Sequence, residues 1–256
     1  MKDGLIHVVF VIDESGSMYG SINDVIGGFN KTIKEQKGIK DGECIVSLYK
    51  FGSTVTEVYK GKKLDEIDDL KYSPGGMTKL YDALGTSIDN IGKWLNDMKE
   101  EDRPSKNMFV VITDGEENYS TEYSLDDVKK RIKHQEEKYN WSFIYLGNDL
   151  TNANDANDLG FKYKGFTTKS KFYNNYDVIS TGVTAYRCAV DSVSASLALD
   201  ESVAKSMTTL NEEYKADTGI DIDGDSTSVS TTDAASVINS IDLDEFKKKF
   251  DYNQWE

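Results

Sequence analysis

The run Leu5–Ile12, apolar except for His7, stops abruptly at Asp13-Glu14-Ser15-Gly16-Ser17. It is too short to cross a membrane but long enough for a strand buried on both faces, the mark of a parallel sheet covered by helices. Asn107–Thr113 and Trp141–Leu146 repeat that character. Cys44–Phe51 and Thr54–Tyr59 are separated only by Gly52-Ser53, a spacing that permits a hairpin and so one antiparallel edge strand. Between these runs, Ile22–Gln36 places Ile22, Val25, Ile26, Phe29 and Ile33 on one helical face, and Leu80–Met98 does the same with Leu80, Leu84, Ile88, Ile91 and Leu95. Ser124–Lys138 opens with Asp126 and Asp127 and closes with Lys138, as a helix dipole favours. A further helix is expected from about Asn175 to Ala204, on the stripe Ile179, Val183, Tyr186, Val190, Val193 and Leu197. The alternation predicts an α/β fold, doubly wound and Rossmann-like: a mostly parallel sheet with one antiparallel edge strand and helices on both faces.

Length and charge bound the rest. A chain of 256 residues with 38% hydrophobic content supports one substantial core, expected over residues 1–200. From residue 200 onward there are 14 acidic against 5 basic residues, a net −9 of the chain's −15. With the Ser/Thr-rich Ser226–Ser236, this predicts an acidic, partly flexible tail over 201–256. Asp242–Trp255 reads as a short terminal amphipathic helix, able to dock on the domain and even offer a carboxylate in cis. The acidic balance disfavours nucleic acid and anionic membranes as partners. Cys44 and Cys188 lie far apart inside apolar runs and are expected to be buried free thiols. With no export signal in view, the expected location is cytoplasmic, in the host if the chain is phage-encoded. The oligomeric state is not legible.

Asp13-x-Ser15-x-Ser17 alone is weak evidence. Its position carries more: the carboxyl end of a parallel strand, where open α/β sheets place their ligands. The loop Ser73-Pro74-Gly75-Gly76-Met77-Thr78 and the strand end Ile112-Thr113-Asp114-Gly115 bring further oxygens towards the same edge. Together these segments resemble the metal-ion-dependent adhesion site of von Willebrand factor A domains, in the family's order, across roughly residues 5–200. Phe143–Asp149 and Ser180–Arg187 are similar to stand-alone bacterial and phage members. The resemblance implies metal ligation by Asp13, Ser15, Ser17, Thr78 and Asp114, with Thr78 a ligand that switches between direct and water-mediated binding.

The chemistry is consistent with that resemblance. Mg²⁺ takes six oxygens at about 2.0–2.1 Å, and Mn²⁺ or Ca²⁺ are alternatives. If the neutral serine hydroxyls bind directly while Asp13 and Asp114 act through water or hydrogen bonds, the ion stays electrophilic. The Asp or Glu carboxylate of a protein partner can then complete its shell. The leading expectation is a metal-dependent protein-binding module that is not an enzyme. The alternatives are a Mg²⁺-dependent phosphoester hydrolase with Glu116 as base, Glu14 and Glu117 also flanking the site, and a structural assembly component. Asp221–Asp225 is similar to the start of a calcium loop, but Ser226 stands where that loop needs Gly and Thr232 where it needs Glu. His7 and His134, the only histidines, make no zinc set with two separated cysteines. His7 is read as a satisfied strand residue and His134 as a solvated helix residue.

Overall fold

The computed structural model describes residues 1–148, 150–189 and 192–221. Six strands, β1 (Lys2–Asp13), β2 (Glu43–Phe51), β3 (Val55–Lys63), β4 (Pro104–Ile112), β5 (Ser142–Gly147) and β6 (Tyr163–Phe166), form one sheet in the order β3-β2-β1-β4-β5-β6. Among the described residues only the β2–β3 pair is antiparallel. The doubly wound sheet with one antiparallel edge is therefore borne out.

Among the described residues six α-helices cover it: α1 (Ile22–Gly38), α2 (Leu80–Asp97), α3 (Leu125–Tyr139), α4 (Leu150–Leu159), α5 (Asn175–Arg187) and α6 (Ser192–Thr218). β1 is central because its side chains have an apolar partner on either face. Val8, Phe10 and Ile12 join one buried cluster with Val25, Phe29 and Ile33 of α1 and with residues of α5 and α6. Val9 and Val11 join the other, with Leu80, Leu84, Ile88, Ile91 and Leu95 of α2. The period of two along the strand thus feeds both cores. His7, fully enclosed, bridges three strands through Asn107 Oδ1 at 3.0 Å and Ser47 Oγ at 2.8 Å, the satisfied histidine expected. His134 is exposed.

The single helix expected from Asn175 to Ala204 is instead two helices. Ile179, Val183 and Tyr186 are buried along α5, as read, but beyond the break the buried positions reset to Ala195, Leu199, Val203, Met207 and Leu210. Arg187 fixes the end of α5, its guanidinium donating to the carbonyls of Gln36 at 2.6 Å and Ile39 at 2.9 Å, so that it covers the C-terminus of α1. α6 continues to Thr218, with Tyr214 also buried, so residue 200 falls inside this helix. The expected Ser/Thr-rich linker, terminal helix and calcium-like loop lie outside the described residues, apart from Asp221. Of the cysteines, Cys44 is buried and Cys188 is exposed; the expectation of two buried thiols holds for the first alone, because Cys188 sits just past the end of α5. Among the described residues no helix is long and apolar enough to cross a membrane.

Candidate metal centre

β1 and β4 are neighbours, yet the chain leaves β1 through α1 on one face and reaches β4 through α2 on the other. Their carboxyl ends therefore open a crevice at the point where the winding reverses. Asp13 ends β1, and Thr113-Asp114-Gly115 follows β4 directly. Ser15 and Ser17 lie at the entry to a single 3₁₀ segment, Gly16–Ser21, that precedes α1.

The loop before α2 is fastened over this crevice by backbone bonds. Gly16 N donates to Gly76 O at 3.1 Å and Gly75 N to Glu14 O at 2.8 Å. Gly76 has φ +82°, and a Cβ there would lie 2.3 Å from Ser53 Oγ, so only glycine brings the loop this close. Glu14 accepts from Ser73 N at 2.7 Å and from Lys50 Nζ at 2.8 Å. Glu117 accepts from Tyr81 N at 3.0 Å and Ser120 N at 2.7 Å, which ties the segment after β4 to the first turn of α2. Both carboxylates are thus occupied in holding loops, while Glu116 is exposed.

Asp82 completes the scaffold from the first turn of α2. Its carboxylate accepts from the backbone N–H groups of Thr121, Glu122 and Tyr123 at 2.8–3.1 Å and from Lys79 Nζ at 3.0 Å. Burial works against its charge, and these donors outweigh it, leaving the carboxyl below its usual range.

Of the five residues singled out in the sequence, Asp13, Ser15, Ser17 and Thr78 come together. A carbon atom placed where the Cβ of Gly115 would stand lies 2.9 Å from Ser17 Oγ, 3.1 Å from Thr78 Oγ1 and 3.2 Å from Asp13 Oδ2. Ser15 Oγ is 3.0 Å from Ser17 Oγ, a hydrogen-bond distance that also matches the edge of an octahedron with ligands at 2.0–2.1 Å, about 2.8–3.0 Å. Asp13 is fully buried; its Oδ1 accepts from Ser15 N at 2.7 Å and its Oδ2 from Thr113 Oγ1 at 2.6 Å. Tyr72 Oη donates to the Asp13 carbonyl. Burial pushes the Asp13 carboxyl up to about 6; the Thr113 and Ser15 hydrogen bonds oppose this, and the nearby Asp114 adds to it. The Asp114 side chain is wholly enclosed, and neither carboxylate oxygen has a hydrogen-bond partner among the described residues.

These features fit a hard divalent cation. Two carboxylates are enclosed, the oxygens of one of them, Asp114, without a hydrogen bond, and the Ser17 and Thr78 hydroxyls gather beside the other, Asp13. Among the described residues no group of three or more His, Cys, Asp or Glu converges, and the oxygens that gather beside Gly115 are two hydroxyls and one carboxylate. Sequence reasoning passed over Thr113 as a site residue although it sits in the quoted motif, and its bond to Asp13 is what aims that carboxylate. It also missed Lys169, whose Nζ lies 3.4 Å from Asp114 Oδ2, because no sequence signal marks a lone lysine after a short strand.

Comparison with known proteins places this geometry in context. The model of the von Willebrand factor type A domain family matches residues 7–181. Among solved structures, the von Willebrand factor domain of the type V pili tip protein Mfa5 from Porphyromonas gingivalis superposes with a TM-score of 0.52 at 10% identity, over 72% of this chain and 96% of that one. A mutant of the PilB minor pilin from Streptococcus sanguinis gives 0.50 at 12% identity, over 70% of this chain and 61% of that one. At such identities the likeness is one of fold. A third similarity corrects the expectation that the chain is not an enzyme. Over 107 residues, 41% of this chain, it is 30% identical to a probable bifunctional E2/E3 enzyme of Acanthamoeba polyphaga mimivirus. The chain spans 7% of that relative's length. The expectation rested on missing nucleophile motifs, and the similarity to a protein described as an enzyme overturns it.

Proposed function

Since this chain belongs to the von Willebrand factor type A domain family, we propose that it is a cation-dependent protein-binding module whose Mg²⁺ receives a carboxylate from a protein partner. Ser15, Ser17 and Thr78 would hold the ion, with Asp13 and Asp114 behind them as charged, hydrogen-bonding supports. The bound ion supplies an electrophile to which an anionic oxygen can add. The chain's own groups do the remaining work. Thr113 and Ser15 N orient Asp13, Asn118 Oδ1 accepts from Thr78 N at 3.0 Å, and burial of both carboxylates keeps water from screening them.

The observation that carries the reading is the convergence of Ser17, Thr78 and Asp13 oxygens within 3.2 Å of one point beside Gly115. The surrounding surface supports it. Tyr19, Met77 and Tyr119, from the three loops that build the site, are 66%, 43% and 49% exposed. Exposed aromatic and Met side chains around a polar centre are what a protein interface recruits as anchors.

The test is retention of partners from a lysate on the immobilised chain, in Mg²⁺ or Mn²⁺ and then in chelator. Partners are expected to elute with chelator, and Asp13→Ala and Ser15→Ala to mimic it. Retention that ignores both treatments would refute the proposal.

A further inference from the structure

Lys169 reaches the centre from an element that none of the sequence motifs includes. It opens a 3₁₀ segment, Lys169–Asn174, just after β6. That segment is held firmly: Thr167 N donates to Gly147 O at 3.1 Å, Lys171 N to Thr168 O at 2.9 Å, and Phe172 is fully buried. Lys171 adds an ion pair to Asp217 of α6 at 2.7 Å. The backbone under Lys169 is therefore fixed, while its side chain is 61% exposed and places the ammonium 3.4 Å from Asp114 Oδ2. Asp114 has no hydrogen bond on either oxygen, so this ammonium is the one cationic group recorded against it among the described residues.

We propose that Lys169 sets the affinity and the electrophilicity of the metal centre by holding part of the Asp114 charge away from the ion. The inference rests on the cation-binding reading above. An ammonium and a divalent cation drawn to the same enclosed carboxylate repel each other, and each weakens the other's hold; by linkage the effect is reciprocal. With Lys169 in place, the ion is bound less tightly but receives less negative charge from Asp114, which leaves more of its field for the partner's carboxylate. Lys169 is a positioning residue in this scheme: it acts through Asp114 and not on the ion.

The experiment is calorimetric titration of Mn²⁺ into the full chain and into Lys169→Met, Lys169→Glu and Lys169→Arg, at low salt and at 0.5 M NaCl. Because the side chain is largely solvated, the expected tightening for Lys169→Met is modest, about two- to fivefold. Lys169→Glu is expected to tighten binding further, Lys169→Arg to keep the native value, and the differences to shrink at high salt. A merely structural role would follow neither the sign of the charge nor the salt. Native binding that is equal to or tighter than that of Lys169→Met overturns this inference and leaves the metal reading standing. Failure of the native chain to bind Mn²⁺ overturns both. Melting curves in chelator, expected to be native-like for every variant, separate loss of fold from loss of binding.

Discussion

Replacing Gly115 by Ala would put one methyl group among the converging oxygens. Its carbon would stand 2.9 Å from Ser17 Oγ, 3.1 Å from Thr78 Oγ1 and 3.2 Å from Asp13 Oδ2. Carbon and oxygen ordinarily meet at about 3.3–3.6 Å, so the hydroxyls must give by a few tenths of an ångström. They can, since both are side-chain atoms, and Gly115 is not among the positive-φ glycines, so its backbone accepts alanine. The strain of overpacking, about 1–3 kcal/mol, is partly offset by the roughly 0.4–1 kcal/mol that Gly→Ala gains through the unfolded chain. The domain should therefore fold. A six-coordinate ion, however, needs its oxygens at about 2.0–2.1 Å, and a methyl group among them denies it that approach. In the native chain, cation at a hundred times its Kd adds about 2.7 kcal/mol of stability. For a domain of this size that raises Tm by about 5–11 °C. Melting by circular dichroism, with Mg²⁺ and with chelator, should show this rise in the native chain and none in Gly115→Ala, whose Tm in chelator stays within several degrees of native. A variant that keeps the full cation-dependent rise would place the ion elsewhere and refute the reasoning.

Other outcomes follow from groups that support the site or the sheet. Asp82→Ala strips three backbone N–H groups of their acceptor and should cost about 2–4 kcal/mol in urea unfolding; a loss below 0.5 kcal/mol would mean that the loop is held by other contacts. His7 is held near pKa 4 by burial, against 6.5 ordinarily, with the Asn107 hydrogen bond opposing. Because its folded pKa is depressed, protons bind preferentially to the unfolded chain between those values, and stability falls as pH drops through the window. At pH 4.5 the loss is about 2.5 kcal/mol relative to pH 7. It is read as the pH-dependent part of the stability difference between native and His7→Gln, which cancels opposing contributions such as the raised carboxyl of Glu136; a difference constant with pH contradicts it.

How much of this was legible in sequence depends on whether a residue's role was local. The strands β1, β4 and β5 showed because burial on both faces demands unbroken apolar runs, and α1 and α2 because one face of each is wet. Asp13, Ser15 and Ser17 showed because a single strand end and the turn after it carry all three. β6 was missed because four residues, Tyr163-Lys164-Gly165-Phe166, are too few for a period to emerge. α4 was missed because its Asn- and Asp-rich face leaves little apolar signal. The break between α5 and α6 was hidden by an accidental continuity: Val193 and Leu197 extend the stripe of α5 on paper, yet the helix buries Ala195 and Leu199 instead. Lys169 depends on a tertiary approach from the far side of the crevice, and no local pattern encodes it.

The same division explains why the centre stands where it does. The strand that contributes Asp13 and the strand that precedes Asp114 are neighbours only because the chain reverses its winding between them, so the two acids stand at adjacent strand ends without belonging to one loop. Burial is the main reason the Asp13 carboxyl is elevated, and the charge of Asp114 adds to it. A site meant only to lock a cation would surround it with more carboxylates. Here hydroxyls stand in front and an ammonium attends the second acid, an arrangement that leaves the electrostatic demand partly unmet. On the proposed function, that residual demand would give an incoming ion its affinity, and the scarcity of anionic ligands would leave the ion open to a partner's carboxylate.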